Sequence, residues 1–307
     1  MPAGDLRKRL IFAAWAIPLG WWLINSRISI VPSRLPGFAP GIGAGRILVG
    51  ELTIIIVVFV ACSEYLRMLR IIYRRNGFWI IYPWLGFQFL SYLVPSISLS
   101  AHHDTYGLLI LVAAEAFMWG KATRSKWHRA SLLFSGVVFI YLAGISLLSL
   151  YQEPFQTMFS AGVAHAMLSQ PGIVTICAAV FGCDTIAYFV GNRWGHHRLT
   201  SISPGKTVEG SVAGLLAATI LGSTGWIFFA VETVPVWLGV AMGLLIGVFA
   251  QAGDLLVSLM KRYFRVKDVS NMIPGHGGVL DRFDSLFFTA PVLNLFFLLI
   301  EKIYGLI

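Results

Sequence analysis

The stretch "PVWLGVAMGLLIGVFAQAGDLLVSLM", residues 235–260, is long and apolar enough to cross a lipid bilayer as a helix, and Asp254 is its single charged residue. A membrane-spanning helix needs about 20 consecutive, mostly apolar residues. The rest of the chain is similar, because 57% of its 307 residues are hydrophobic and 12% are charged, whereas soluble domains carry about 25% charged residues. The sequence therefore predicts an all-α, polytopic integral membrane protein.

Eight further apolar segments bring the predicted membrane-spanning helices to about nine, with eight or ten as alternatives because several segments are short or interrupted by Pro. The predicted spans are approximately 10–26, 48–66, 78–98, 105–120, 131–150, 172–192, 211–231, 235–260 and 286–304. The first span follows "RKRL" and lacks a convincing cleavage site after a small residue, so we interpret it as a retained helix and not as a signal peptide.

The basic residues are distributed unevenly between the connections. With a cytoplasmic N-terminus, 19 of the 23 Lys and Arg residues fall on the cytoplasmic side, as the positive-inside rule requires. This bias supports nine helices, a cytoplasmic N-terminus and a site that faces the cytoplasm, and it explains the net charge of +9 without nucleic acid. Polar residues are concentrated towards the C-terminus, so we expect residues 1–170 to be scaffold and residues 171–307 to be catalytic.

Asp184 lies near the middle of a predicted span, within "AVFGCDTIAYFVGN". A charge at this depth costs roughly 3 kcal/mol and normally faces protein or a water-filled cavity. Two interpretations remain open for Asp184, a buried structural pair and the lining of a functional cavity.

The segment from Gly191 to Leu215 contains a turn at "SPG", which begins at Ser203 and is followed by Lys206. Thr207 is a candidate N-cap for the next helix, with Glu209 in its first turn. The start of a helix stabilises phosphate oxygens, and Lys206 would add a positive charge. Because the glycine spacing of a P-loop is absent, an ordinary capped turn remains an alternative.

Asp254 and Lys261 are seven residues apart and fall on nearly the same face of one helix. Ser258 lies between them, and Arg262 lies close to the same stripe. A separation of about two turns makes direct contact between Asp254 and Lys261 awkward. We therefore expect them to share a third group, such as a metal-bound phosphate.

The segment "KRYFRVKDVSNMIPGHGGVLDRFDS", residues 261–285, gathers charge between two apolar runs. Its other polar residues and glycines of interest are Lys267, Asp268, His276, Gly277, Gly278 and Arg282. Asp281 and Asp284, three apart at the entrance to the last helix, can point to one side, although Asp281 alone could be only a cap. Carboxylates that hold a hard cation, with basic residues that neutralise phosphate charge, are typical of Mg²⁺-assisted phosphoryl or nucleotidyl transfer.

The fixed polar positions from Ser258 to Asp284 resemble the signature of the phosphatidate cytidylyltransferases, also called CDP-diacylglycerol synthases. The matching positions are Ser258, Lys261, Arg262, Lys267, Asp268, Ser270, Pro274, His276, Gly277, Gly278, Asp281, Arg282 and Asp284. "DTIAYFVGNRWG" and "SISPGKTVEGS" are similar to an upstream segment of that family. The pair His196-His197 departs from it, because family members more often carry Lys or Arg there.

The resemblance implies a homodimeric membrane enzyme that condenses CTP with phosphatidic acid, using Mg²⁺ and K⁺ as a second cation. Asp254 and Asp284 would be metal ligands, with Asp281 next, and Asp184 would line the polar cavity. The remaining site residues would bind the substrate phosphates or shape the nucleotide site: Lys261, Arg262, Lys267, Lys206, Ser203, Glu209, Asp268, His276, Gly277, Gly278 and Arg282.

Two other functions fit parts of the pattern. A CTP-dependent polyprenol or dolichol kinase would transfer the γ-phosphoryl group to an alcohol and release CDP. In an ion-coupled transporter, Asp184 and Asp254 would mark an ion path. Transporters often carry repeats and broken helices in both halves, whereas the polarity here lies towards one end of the chain.

Overall fold

The computed structural model describes residues 49–73, 81–83, 85–86, 124–151, 171–230, 235–273 and 277–304. These residues form helices and contain no strand, only two isolated bridges. The six long helices are α1 (Val49–Tyr73), α2 (Arg124–Tyr151), α3 (Pro171–Trp194), α4 (Val208–Phe229), α5 (Trp237–Tyr263) and α6 (Leu280–Tyr304).

Five of the described helices, α1 and α3 to α6, are long and apolar enough to cross a membrane, and the apolar part of α2, Ser135–Tyr151, is shorter. The predicted all-α membrane fold is therefore confirmed. Predicted spans 10–26 and 105–120, and most of 78–98, lie outside the described residues. The count of nine helices and the cytoplasmic N-terminus stay predictions.

The last helix begins earlier than predicted, at Leu280 and not near residue 286. The backbone N–H groups of Arg282 and Phe283 donate to the carbonyl oxygen of Val279, 3.0 and 3.1 Å away, and so form the first turn. Hydropathy failed to locate this start because the first turn is polar. As a result, Asp281 and Asp284 both belong to α6.

The described residues fall into two compact units, one within residues 27–141 and one within 142–307. In the first unit, one side of α1 is fully buried at Ala61, Cys62 and Leu66, and Tyr65 is 1% exposed. Gly136 leaves room for the Tyr65 ring, because a Cβ atom at Gly136 would collide with it.

In the second unit, α4 packs against α3 and α5 through a face of small residues. Gly210, Gly214, Ala218 and Gly222, spaced one turn apart, are all buried. A Cβ atom on Gly214 would lie 2.8 Å from the carbonyl oxygen of Cys183, and one on Gly222 would lie 2.8 Å from the Cα atom of Gly243. Small residues allow such close backbone approach between membrane helices.

The opposite face of α4 carries exposed aliphatic side chains, including Leu216, Ile220 and Ile227, each more than half exposed. Because lipid tails are as apolar as these side chains, such a face is stable in a bilayer. The helix therefore separates a lipid-facing side from a packed side.

Helix α6 packs against α5 at the level of Asp284, an acidic residue of α6. A Cβ atom on Gly253 would lie 2.8 Å from the carbonyl oxygen of Asp284, and the Phe249 and Phe288 ring centroids are 6.1 Å apart. Because Gly253 has no side chain, the backbone of Asp284 can lie directly against it. Gly253 immediately precedes Asp254, so this contact brings Asp284 close to Asp254.

Candidate active site

Three carboxylates from three helices converge in the second unit. Asp184 belongs to α3, Asp254 to α5 and Asp284 to α6. Ser285 links two of them, because its hydroxyl donates to Asp184 Oδ2 at 2.9 Å and its backbone N–H donates to Asp284 Oδ1 at 2.7 Å. Asp284 is only 6% exposed. The convergence joins residues that lie up to a hundred positions apart in the chain.

The three carboxylates interact electrostatically with one another. Asp284 is repelled by Asp254 and Asp184, and Lys261 partly offsets this repulsion. Asp184 is attracted by Lys206. Like charges in a poorly solvated place destabilise each other, so this cluster is costly without cations.

Asp254 is held by two neighbours. Its Oδ2 atom forms an ion pair with Lys206 Nζ, and its Oδ1 atom accepts a hydrogen bond from the Ser258 hydroxyl at 3.4 Å. Lys261 pairs instead with Asp281. The expectation that Asp254 and Lys261 would not pair directly agrees with these contacts, and a third group shared by the two residues stays a prediction.

The loop between α3 and α4 presents Lys206 to Asp254. The backbone N–H of Leu199 donates to the Lys206 carbonyl, and that of Val208 to the His197 carbonyl, both at 2.9 Å. Thr207 caps α4, as predicted, by accepting the Gly210 N–H through its side chain. These contacts fold the loop back on itself and fix the backbone at Lys206.

Glu209 closes the same loop from the first turn of α4. Its Oε1 atom lies 2.6 Å from His197 Nδ1, and its two carboxylate oxygens accept the His197 backbone N–H at 3.2 and 3.3 Å. Ser203 contributes its carbonyl oxygen to the turn by accepting the Lys206 N–H at 3.0 Å. In the structure, Glu209 and Ser203 thus bind the loop that carries Lys206.

Replacing Glu209 with alanine should loosen this loop. We expect amide hydrogen exchange across residues 195–207 to become several-fold faster, because the His197 N–H loses its acceptor. Glu209→Gln is the matched control, since its amide oxygen still accepts that N–H, and its exchange should stay near that of the unaltered protein. Equal exchange in the Glu209→Ala and unaltered proteins would show that this carboxylate does not hold the loop.

Asp281 has its own partners, separate from the three-carboxylate cluster. Lys261 Nζ lies 2.8 Å from its Oδ1 atom. Its Oδ2 atom accepts the backbone N–H groups of Val269 at 2.8 Å and Gly278 at 2.9 Å. The hydrogen bond from Gly278, at the start of α6, corresponds to the capping alternative that the sequence left open.

The comparisons with known proteins fit this acidic and basic site. A model of the cytidylyltransferase family matches residues 25–300. The chain belongs to this family. Nucleotidyl transfer by the family generally uses a divalent cation.

Three bacterial relatives are similar to part of the chain. The phosphatidate cytidylyltransferase of Staphylococcus haemolyticus is 43% identical over 113 residues, which cover 36% of this chain and 43% of the relative. That of Staphylococcus saprophyticus is 45% identical over 113 residues, with the same coverage. That of Bacillus subtilis is 43% identical over 133 residues, which cover 41% of this chain and 48% of the relative.

The matches span less than half the length of these curated relatives. Their bacterial sources and the five apolar helices indicate an integral protein of the cell membrane.

The three-carboxylate cluster also agrees chemically with the family's use of a divalent cation. Carboxylate oxygens are the ligands that hard divalent cations prefer, and the charges of Asp184, Asp254 and Asp284 act on one another. Among the described residues, no three acidic, His or Cys side chains form a preassembled metal cluster.

The other predicted substrate-binding residues differ in their exposure and backbone conformation. Arg262, Lys267, Asp268 and Arg282 are exposed. His276 lies outside the described residues. Gly277 has a φ of +82°, in the left-handed region that favours glycine. The cations among these residues are accessible at the surface, and their substrate roles stay predictions.

Ser285 and Gln251 were not among the predicted site residues. Ser285 bridges two carboxylates, and Gln251 Nε2 donates to the Ser211 carbonyl oxygen at 3.0 Å while its Oε1 accepts from the Ser211 hydroxyl. A signal was present for both: Ser285 directly follows Asp284, and Gln251 is an amide in an apolar span one turn before Asp254. Gln251 thus fastens α5 to α4 beside the site.

Proposed function

We propose that the protein is a phosphatidate cytidylyltransferase, which converts CTP and phosphatidic acid into CDP-diacylglycerol and pyrophosphate. One observation carries this proposal: Asp284, at the end of the segment from Ser258 to Asp284, interacts electrostatically with Asp254 and Asp184. Lys206 forms an ion pair with Asp254 at the same place. The bacterial relatives are phosphatidate cytidylyltransferases, and this supports phosphatidic acid and CTP as the substrates.

The reaction joins an oxygen of the phosphatidate phosphate to the α-phosphorus of CTP. The bond from that phosphorus to the oxygen of the β-phosphate breaks, and the electron pair leaves with pyrophosphate. Because the attacking phosphate oxygen is already ionised at neutral pH, the site does not need a strong general base. Catalysis then depends on the positioning of the two substrates and on the neutralisation of their charge.

We propose that Asp254 and Asp284 hold Mg²⁺, and that Asp184 helps to hold this ion or K⁺ as a second cation. When bound, the cations would supply Lewis-acid chemistry to the phosphate groups and would neutralise charge on the leaving pyrophosphate. Asp281 was the third predicted ligand, and its oxygens are already bound to Lys261 and two backbone N–H groups. Asp184 is therefore the better third candidate.

The cationic side chains would bind the two anionic substrates. Lys206 lies within the carboxylate cluster through its ion pair with Asp254, so it suits a phosphate bound beside the cation. The exposed residues Arg262, Lys267 and Arg282 suit the outer phosphates of CTP or the lipid headgroup. Asp268, His276 and the glycines Gly277 and Gly278 would shape the nucleotide site.

The remaining organisation is proposed on the charge distribution of the sequence and on the resemblance. The site would face the cytoplasm, where CTP is available, while the acyl chains stay in the bilayer. Residues 171–307 would form the catalytic region, and residues 1–170 would form scaffold and the contacts of a homodimer.

The proposal is tested by radiolabel transfer with the purified full chain in detergent micelles. With [α-³²P]CTP, phosphatidic acid and Mg²⁺, we expect label in the lipid fraction and an equal amount of released pyrophosphate. A lipid kinase would instead leave the label in CDP. If the folded protein transfers no label to lipid with Mg²⁺ present, the proposed function is wrong.

A further inference from the structure

Asp281 is almost completely buried, and each of its carboxylate oxygens faces at least one hydrogen-bond donor. Its side chain is 4% exposed, and that of Lys261 is 15% exposed. Oδ1 faces the Lys261 ammonium, and Oδ2 accepts two backbone N–H groups. A buried carboxylate is stable only when it is paired and hydrogen-bonded. A metal ion would have to displace partners that already satisfy this one.

The two backbone partners of Asp281 lie at the two ends of the segment from Val269 to Gly278, within the connection between α5 and α6. Val269 lies near its beginning and is 8% exposed, and Gly278 lies just before α6. Between them, the Ile273 N–H donates to the Gly277 carbonyl oxygen at 2.8 Å. One carboxylate oxygen therefore draws the two ends of this segment together.

Gly277 permits the close approach of the loop to this carboxylate. A Cβ atom at Gly277 would lie 2.8 Å from Asp281 Oδ2, and its φ of +82° is unfavourable for other residues. The loop is thus shaped around the Asp281 side chain.

We infer that Asp281 is a positioning residue that latches the α5–α6 loop to Lys261, and that it does not bind the cation. The latch holds the exposed Lys267, two residues before Val269, in place for the triphosphate, while the exposed Arg262 lies in the last turn of α5 directly after Lys261. Lys261 then serves as the partner of Asp281 and leaves phosphate binding to its neighbours. The expected effect of the latch on CTP binding rests on the proposed function. The latch itself, the contacts of Asp281 with Lys261, Val269 and Gly278, does not depend on that function.

The first test is hydrogen exchange of residues 264–273 in the resting full chain without metal. We expect roughly tenfold faster exchange in Lys261→Met and in Asp281→Ala, and no larger effect in the double variant, because both residues belong to one latch. Asp268→Asn, which removes an exposed charge from the same loop, is the matched control and should exchange at the unaltered rate. Unchanged exchange in both single variants would overturn the latch.

The second test separates a latch from a cation ligand by Mn²⁺ binding, measured from the electron paramagnetic resonance of free Mn²⁺. Asp281→Asn should bind Mn²⁺ as the unaltered protein does, whereas Asp254→Asn should bind it at least about tenfold more weakly. Loss of Mn²⁺ binding in Asp281→Asn, with binding retained in Lys261→Met, would show that Asp281 is a ligand and overturn the inference.

Kinetics then distinguish positioning from a purely structural role. In Asp281→Asn, we expect the KM for CTP to rise about tenfold with kcat changed less than about threefold, because the loop cations are misplaced for binding. A lower kcat with an unchanged KM would contradict the positioning role. Hydrogen exchange and Mn²⁺ binding can be measured without catalysis. If the unaltered protein does not transfer label to lipid, the proposed function is rejected, and these two measurements still decide whether the latch exists.

Discussion

Asp284→Asn is expected to lower the rate of cytidylyl transfer by about a thousandfold. Asparagine keeps one oxygen that can accept the Ser285 N–H, so the fold of the first turns of α6 is preserved. It removes the negative charge that would hold Mg²⁺ beside the reacting phosphates. A thousandfold effect corresponds to about 4 kcal/mol, in the range expected when a cation no longer stabilises charge in the transition state.

The same substitution should stabilise the resting protein. Asp284 is buried and is repelled by Asp254 and Asp184, and a neutral amide relieves this repulsion. A gain of about 1 kcal/mol would raise the melting temperature by about 3 °C in the absence of divalent cations. The unaltered protein should gain stability on Mg²⁺ addition, because a ligand that binds the folded state stabilises it, and the Asp284→Asn protein should not.

Ser223→Ala provides a control for loss of a polar group in the same unit. The Ser223 hydroxyl donates to the Thr219 carbonyl oxygen of its own helix at 2.7 Å, so its removal should change the transfer rate less than about twofold. Radiolabel transfer and thermal melting with and without Mg²⁺ measure both effects. An Asp284→Asn protein that melts normally and keeps its transfer rate would remove Asp284 from the cation site.

The helices of this protein were largely predictable because their apolar residues must satisfy a bilayer. The predicted span 172–192 lies within α3 (Pro171–Trp194), and 131–150 lies within α2 (Arg124–Tyr151). At the start of α6, the predicted boundary was about six residues too late. There the helix begins with polar residues, and capping by Asp281, which hydropathy does not detect, marks the boundary.

The partners of the charged residues were less predictable than the residues themselves. Spacing along one helix indicated that Asp254 and Lys261 would not pair, and this agrees with the structure. Spacing also placed Asp281 and Asp284 on one side, but it could not show that Asp281 turns to the loop while Asp284 turns to Ser285. Side-chain direction depends on groups brought from other helices, and a single helix does not encode it.

The acidic cluster depends on close backbone contact between helices. Asp184, Asp254 and Asp284 have short side chains, so their helices must approach nearly to backbone contact before the carboxylates can act on one cation. Glycine provides that approach at Gly214 against α3 and at Gly253 against α6. Packing and catalysis therefore draw on the same small residues, and a substitution that separates the helices should affect both stability and transfer.

Gly243→Val tests this dependence at the contact between α4 and α5. A Cβ atom at Gly243 would lie 2.6 Å from the Thr219 Cα atom and 2.8 Å from the carbonyl oxygens of Ala218 and Thr219. All three are backbone atoms, so no side chain can rotate away and the helices must separate. We expect a loss of about 3 kcal/mol of stability, seen as a melting temperature lower by about 8 °C in detergent micelles, together with a large loss of transfer.

Gly205→Ala is the matched control for that variant. No heavy atom lies within 4 Å of a Cβ atom built at Gly205, so the added methyl group should leave the melting temperature nearly unchanged. Because Gly243 lies about three turns from Asp254 on α5, a joint loss of stability and transfer would show that helix spacing reaches the carboxylates. If Gly243→Val melts like the Gly205→Ala protein, then α4 and α5 do not approach this closely and the small-residue face cannot be what brings the carboxylates together.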